Sequence, residues 1–330
     1  EFEKYGKTGT LIRYVNRVAA ALEKDHPDVL IDTFAYHWTR RPPEGIAMHR
    51  NVVVRFCPGG GICYHHPFDK CNFNTTNDPQ ARVRGSGEVY EDLVKWTKIS
   101  PQVWVWYYAH GGDKMHPVPH FGSLSRNFKR MRDAGVGGIF VQTDHGSERI
   151  TSGGLLDLQQ YLLAKLMWDP DCDVQKGIEA FCRACYGAAA PSIIAFVNLV
   201  NEADTYVATS AWMKYHYAGV DMSRFPGFHC PGGATPPINP GKLGQMNSLF
   251  EDAQRATVAD HESLERVRRV RLAADYAIML YADADDPLRA EAIRRFFPLA
   301  AKLGISKLRL PVNRREVSIE SFRTGFLGLN

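Results

Sequence analysis

Rings, amides and hydroxyls crowd the ends of four short apolar runs in the first half of the chain. Residues 29–36 end in Tyr36 and lead into His37 and Trp38. Residues 51–56 carry Arg55 and lead into a loop rich in Cys and His. Residues 103–108 end in Trp106, Tyr107 and Tyr108, with His110 just beyond, and residues 138–142 end in Gln142, with Asp144 and His145 next. One guanidinium and one carboxylate thus stand among aromatic faces and neutral hydrogen-bonding groups. Sugars present apolar C–H faces and many hydroxyls, and this set suits them, because a polar group left unpaired in a closed pocket costs about 1–3 kcal/mol. The candidate binding residues are Tyr36, His37, Arg55, Trp106, Tyr107, Tyr108, Gln142, Asp144 and His145, and the candidate catalytic group is Asp144.

Each has a plainer reading. Trp104 and Trp106 alternate with valines on one run, so at least one of them is expected to face core or helix. Arg55 inside an apolar strand needs a polar partner, either Asp32, Asp144 or a ligand. Cys57, Cys63, His65, His66 and Cys71 carry the donor atoms zinc prefers, with Cys57, Cys63, His66 and Cys71 as the candidate ligand set. Their spacing is not that of a standard finger or ribbon, and a packed loop with free thiols or a single disulfide competes with the metal reading. No cofactor is implied. The remaining cysteines, Cys172, Cys182, Cys185 and Cys230, read as core, and Arg266, Arg268, Arg269 and Arg271 as a solvated helix face.

The elements that would position these groups alternate. Leu11, Val15, Val18 and Leu22 predict an amphipathic helix over 9–25 before the first run. Val89, Leu93 and Trp96 predict a second before residue 103, and Ser123 is placed to cap a third that ends at Gly135. Strands that read as apolar on both faces, with helices between them, indicate a parallel sheet. In a parallel barrel the site lies at the carboxyl ends of the strands, where the candidates cluster. The fold class expected is α/β: residues 1–153 as the C-terminal half of a (β/α)8 barrel, strands five to eight. Residues 154–330 are expected to be α-helical, with a long irregular loop at 218–246. Asp173 and Asp286-Pro287 are helix starts, and Trp168-Asp169-Pro170 is a stop.

Composition narrows the partners. Forty basic against thirty-six acidic residues, a net charge of +4, is no footprint for nucleic acid. No run of eighteen apolar residues predicts a membrane span. Half a barrel exposes two strand edges, so its own N-terminal half or another chain is the expected partner, beside a glycan substrate.

In order, the segments 9–16, 32–36 with Arg41-Pro42-Pro43, 54–57, 63–67, Cys71-Asn72, 138–142, 161–170, Phe181, Tyr186-Gly187 and Ala190-Pro191 form one pattern. It resembles the bacterial domain of unknown function 4838 family over residues 3–200. That family includes the glycoside hydrolase family 163 endo-β-N-acetylglucosaminidases and is distantly related to the β-hexosaminidase and α-glucuronidase barrels. The resemblance implies a retaining hydrolase of glycans containing N-acetylglucosamine, in which the substrate acetamide is the nucleophile. A periplasmic or secreted location is implied too. It also places residue 1 just after the fourth barrel strand, so that the main acid lies upstream. Relatives often have Trp-Asp-Tyr where this chain has Trp106-Tyr107-Tyr108, Glu at the position of Val141, and Asn at that of Asp144. The loss of two carboxylates implies either a different sugar or a non-catalytic carbohydrate-binding or scaffold protein.

Overall fold

The computed structural model describes residues 2–58, 86–108, 115, 121–142, 155–202, 242–309 and 316–327. They fall into two compact units, one holding Glu1–Ala109, Ser123–Asp144 and Met167–Asp171, the other the rest.

The first unit is α/β. Its order is α1 (Phe2–Leu22), β1 (Ile31–Ala35), a 3₁₀ turn (His37–Thr39), β2 (Val52–Phe56), α2 (Ser86–Ile99), β3 (Gln102–Tyr108), α3 (Phe121–Asp133) and β4 (Gly138–Gln142). The four strands are parallel and neighbour one another in chain order, β1-β2-β3-β4. Consecutive parallel strands joined by helices are what the alternating pattern predicts. Among the described residues, β1 and β4 have no second strand partner.

The two faces of this sheet differ, which corrects the expectation of strands enclosed on both sides. Thr33, Ala35, Val52, Val54, Phe56, Val103, Val105 and Tyr107 are buried, on the side where α1 and α2 supply Ile12, Val15, Val89, Leu93 and Trp96. The opposite face carries Asp32, Phe34, Val53, Arg55, Trp104, Trp106 and Phe140, and of these Val53 alone is buried. Rings count as apolar in a sequence pattern, so a ring-lined open face reads like a core. The boundaries shift as well. Val29 and Leu30 stay exposed and β1 starts at Ile31, whose N–H bonds Asn51 O at 2.7 Å. Ser123 does not cap α3 from outside but lies buried in its first turn.

The loop after β1 is tied down by a buried ion pair. Arg40 faces Asp92 of α2 at 3.7 Å and donates to Pro58 O at 3.1 Å, while Trp96 Nε1 donates to Arg40 O at 2.6 Å.

The second unit is helical. It holds α4 (Leu155–Trp168, as far as Leu166), α5 (Val174–Tyr186), α6 (Ala190–Glu202), α7 (Leu243–Ala256), α8 (His261–Tyr281) and α9 (Pro287–Lys302). It also contains an antiparallel pair the sequence reading missed, β5 (Lys307–Arg309) with β6 (Glu316–Ser318). Asp173 and Asp286 cap α5 and α9 as expected, through Lys176 N and Leu288 N. The irregular loop is shorter than expected at its end, because residues 243–246 are helical. Residues 218–241 lie outside those described. Val174–Asn201 is long and apolar enough to cross a bilayer by length and composition. Gly187, at φ 49°, interrupts it, and Ile178, Cys182, Phe196, Val197 and Val200 are buried within the unit.

The predicted basic face of α8 is only partly solvated. Arg271 is buried, donating to Gln254 Oε1 at 2.6 Å and Asn247 Oδ1 at 2.7 Å, with Asp275 at 3.8 Å. Arg295 donates to the same Asp275 at 2.7 Å. Residues 271–280 are buried all round, so α8 has no wet face there on which a charge run could lie. The cysteine expectation also needs amending. Cys182 is core, but Cys172 and Cys185 are half-exposed, and Cys230 lies outside the described residues. Removing Asp275 would leave two guanidiniums without their buried counter-charge. Asp275→Ala is expected to destabilise the helical unit by about 3–5 kcal/mol. Arg268→Ala, on the exposed side, should stay within about 0.5 kcal/mol. Urea titration followed by hydrogen exchange of α8 amides measures both.

Candidate functional site

Alternation along β1–β4 decides which candidates meet. Register pairs Phe34 with Arg55, Arg55 with Trp104, Trp106 with Phe140 and Tyr108 with Gln142. Residues two apart on a strand share a face, so Phe34, Arg55, Trp104, Trp106, Tyr108 and Gln142 all lie on the uncovered side. Phe34 is 49% and Phe140 45% exposed.

Arg55 lies at the centre of this face. It forms an ion pair with Asp32, and its guanidinium carbon lies 6.0 Å from the Phe34 ring and 5.9 Å from those of Trp104 and Trp106. Cation–ring attraction of about 0.5–1 kcal/mol at such partly exposed sites adds to the pair. Its Nε is buried with no hydrogen-bond partner among the described residues. Trp106 packs 4.4 Å from Phe140 and 5.9 Å from Phe34, and its indole N–H donates to Gln142 Oε1 at 2.8 Å. That bond fixes which end of the amide is engaged. Trp104 packs over Gly138 of the neighbouring strand: a Cβ there would stand 3.0 Å from the indole, so a larger residue would have to push the ring aside. Both tryptophans therefore occupy the uncovered face, contrary to the expectation that one would turn to core or helix. Their separation of two residues puts them on the same side.

At the carboxyl ends of the strands stand Tyr36, Cys57 and Tyr108. The rings of Tyr36 and Tyr108 stack 6.5 Å apart. Burial, followed by the neighbouring Cys57, pushes Tyr108 well above the ordinary phenol range, with hydrogen bonds to Tyr36 and Cys57 adding to it. Burial pushes the Cys57 thiol up to about 12, against the opposing pull of its hydrogen bond to Tyr108 and the charge of Arg55. Burial thus favours the protonated, neutral form of both groups. The turn beyond β1 is held by Thr39, whose hydroxyl accepts from Tyr36 N at 3.2 Å and donates to Tyr36 O at 3.0 Å. It keeps His37 at φ 46°, a strained value for a residue with a side chain. His37 is exposed, its ring 3.8 Å from that of Tyr36.

Tyr107 departs from the expected set. It is buried on the helix-covered face, edge-on to Phe128 at 5.5 Å, and its hydroxyl accepts from Asn127 Nδ2 at 3.3 Å. Val141 pairs with Tyr107 in register and so belongs to that same face. Tyr107 and Val141, the positions where the resemblance implies carboxylates in relatives, therefore lie on the face opposite the rings. Asp144, His145, Cys63, His66 and Cys71 lie outside the described residues. Among the described residues Asp32 is the carboxylate on the ring-bearing face, and no group of three or more His, Cys, Asp or Glu is arranged to hold a metal.

The sequence profile described as Domain of unknown function (DUF4838) matches residues 1–198. The chain belongs to the DUF4838 family. None of the curated proteins matches it. Among solved structures it is similar to a GH138 enzyme targeting pectin rhamnogalacturonan II, at 11% identity and a TM-score of 0.42. The alignment covers 93% of this chain and 61% of that one, so this DUF4838 chain spans less than two thirds of the neighbour's length.

The enclosed thiols of the DUF4838 chain offer a direct check. A rise from the usual 9.0 to about 12 at Cys57 and Cys182 leaves about a thousandfold less thiolate than in the unfolded chain. At pH 8, peptide mapping after iodoacetamide is expected to show both alkylated about a thousandfold more slowly in the folded than in the urea-unfolded chain. Equal rates at Cys57 would mean it is not enclosed beside Tyr108. Because the folded values of these two thiols lie above the unfolded ones, their contribution to stability should be fully present below pH about 9 and be lost as pH rises towards 12.

Proposed function

We propose that this chain forms one wall of the sugar pocket of a glycoside hydrolase, contributing strands five to eight of a (β/α)8 barrel. The observation that carries this reading is the one-sided sheet. A doubly wound sheet has helices on both faces, whereas barrel strands have helices outside and turn their inner face to a shared axis. Parallel strands whose buried face meets helices, and whose other face carries Asp32, Arg55 and a cluster of rings, fit the second arrangement. The missing units would come from its own N-terminal half or another chain.

In this reading Trp106 and the Tyr36–Tyr108 pair stack on the sugar or bond its hydroxyls. Arg55, Gln142 and Asp144 bind hydroxyls or an acetamide, with His37 and His145 as pocket wall. The family resemblance supports N-acetylglucosamine-containing or related glycans as substrate, cleaved with retention. A carboxylic acid outside this chain would protonate the leaving oxygen while the substrate's own acetamide attacks. Asp144 is the candidate within the chain for steadying that acetamide.

The competing reading is a non-catalytic carbohydrate-binding or scaffold protein. What favours it is that Asp32, the carboxylate on the described open face, is already committed to Arg55. The carboxylates that the resemblance implies in relatives at Tyr107 and Val141 would lie on the face opposite the rings.

Turnover of complex N-glycans and aryl β-N-acetylglucosaminides by the full-length protein, set beside calorimetric binding, tests the proposal. Turnover is expected, and Trp106→Ala should lower kcat/KM about tenfold or more, equivalent to about 1.4 kcal/mol. Binding without turnover selects the competing reading. Unchanged kinetics and affinity in Trp106→Ala remove the open face from the site.

A further inference from the structure

A second aromatic surface lies at the rim, outside the ring cluster. Trp38 is 65% exposed, in the turn directly after β1. That turn is not loosely attached. Thr39 closes it with its hydroxyl, and Arg40 anchors it through Asp92, Pro58 O and the Trp96 indole. Exposure alone does not distinguish Trp38, since Trp168 is 93% exposed; what sets Trp38 apart is the anchored turn that fixes its ring and the cation beside it.

Lys7 of α1 accompanies it, with Nζ 5.5 Å from the Trp38 ring centroid. Gly6, at φ 65°, breaks the helical path immediately before Lys7. No carboxylate among the described residues pairs with Lys7. Along α1, Lys4 and Arg13 lie 5.2 and 4.3 Å from the Tyr5 ring, and Glu3 is the acidic residue of the first sixteen besides Glu1. An indole face beside an ammonium without a counter-ion suits a ring with apolar C–H bonds on one side and a carboxylate at its edge. A neutral sugar would use the indole and leave the cation idle.

We propose that Trp38 and Lys7 form a rim subsite for a carboxylate-bearing sugar residue, a uronate or a sialate. The choice of a sugar as ligand rests on the reading of the ring-lined face as a sugar site, but the subsite uses different residues. Lys7 confers preference for the acid and Trp38 supplies the stacking surface.

Calorimetry on the full chain tests this with trigalacturonate and 3′-sialyllactose as probes, against trigalacturonate methyl ester and lactose as their neutral counterparts. One acidic probe is expected to bind about tenfold more tightly than its neutral counterpart, the advantage shrinking as salt screens the charge. Which acid is preferred identifies the source of the carboxylate. Lys7→Gln should erase the preference while sparing neutral binding, Lys7→Arg should retain it, and Trp38→Ala should weaken both. Thermal midpoints should not change, because both side chains are exposed. Equal binding of acidic and neutral probes, or an unchanged preference in Lys7→Gln, overturns the subsite. Trp106→Ala separates the two sites. If it abolishes binding while Lys7→Gln and Trp38→Ala do nothing, the ring-lined face stands and the rim fails. If only the rim variants have effects, the rim stands and the ring-lined face fails.

Discussion

A parallel strand hands successive side chains to opposite sides, and the site depends on that alternation, with the described helices of this unit packed on one side. The covered face is built from Val, Ala, Phe and Thr, packed out of water. The other face receives what sits between them: Asp32, Phe34, Arg55, Trp104, Trp106, Phe140 and Gln142. A slip of one residue on β3 would exchange the two sets, putting Val103 and Val105 outside and driving two indoles into the helix layer. In the observed register the Trp104 ring lies over Gly138, where a Cβ would crowd it at 3.0 Å.

On that face charge and aromaticity are combined so that neither is wasted. Arg55 is partly desolvated, which by itself would be unfavourable, and three rings and Asp32 compensate. In the upper tier, burial favours the protonated forms of Cys57 and Tyr108. The described part of the face thus combines aromatic rings with polar groups, which is the chemistry the proposed pocket wall requires. In that proposal the acid is contributed from outside these residues.

The helical unit solves a different problem with related means. A helix buried on every side has nowhere to put Arg271, so the chain places Asp275 one turn on and brings Arg295, Asn247 and Gln254 in from α9 and α7. Such a network gains little net stability over an apolar core, yet it is satisfied only in one register of α7, α8 and α9. A similar device in the sheet unit, Arg40 with Asp92, holds the turn that presents Tyr36, His37 and Trp38.

Much of this was legible in the residues. Periodicity located all four strands of the sheet and the helices between them, and Asp173, Asp286-Pro287 and Pro170 marked helix ends, because such signals act over one turn or one strand. Membership of the DUF4838 family was visible in the order of short segments along residues 3–200. Tertiary structure decided what spacing cannot express. It placed Tyr107 and Val141, the positions where the resemblance implies carboxylates in relatives, on the face opposite the rings. It brought both tryptophans of β3 to the same open face, buried Arg271 within an apparently solvated basic run, and exposed one side of strands that read as core on both. A sequence states which residues alternate, but which of two faces meets helices and which meets water depends on elements distant in the chain, and only their packing settles it.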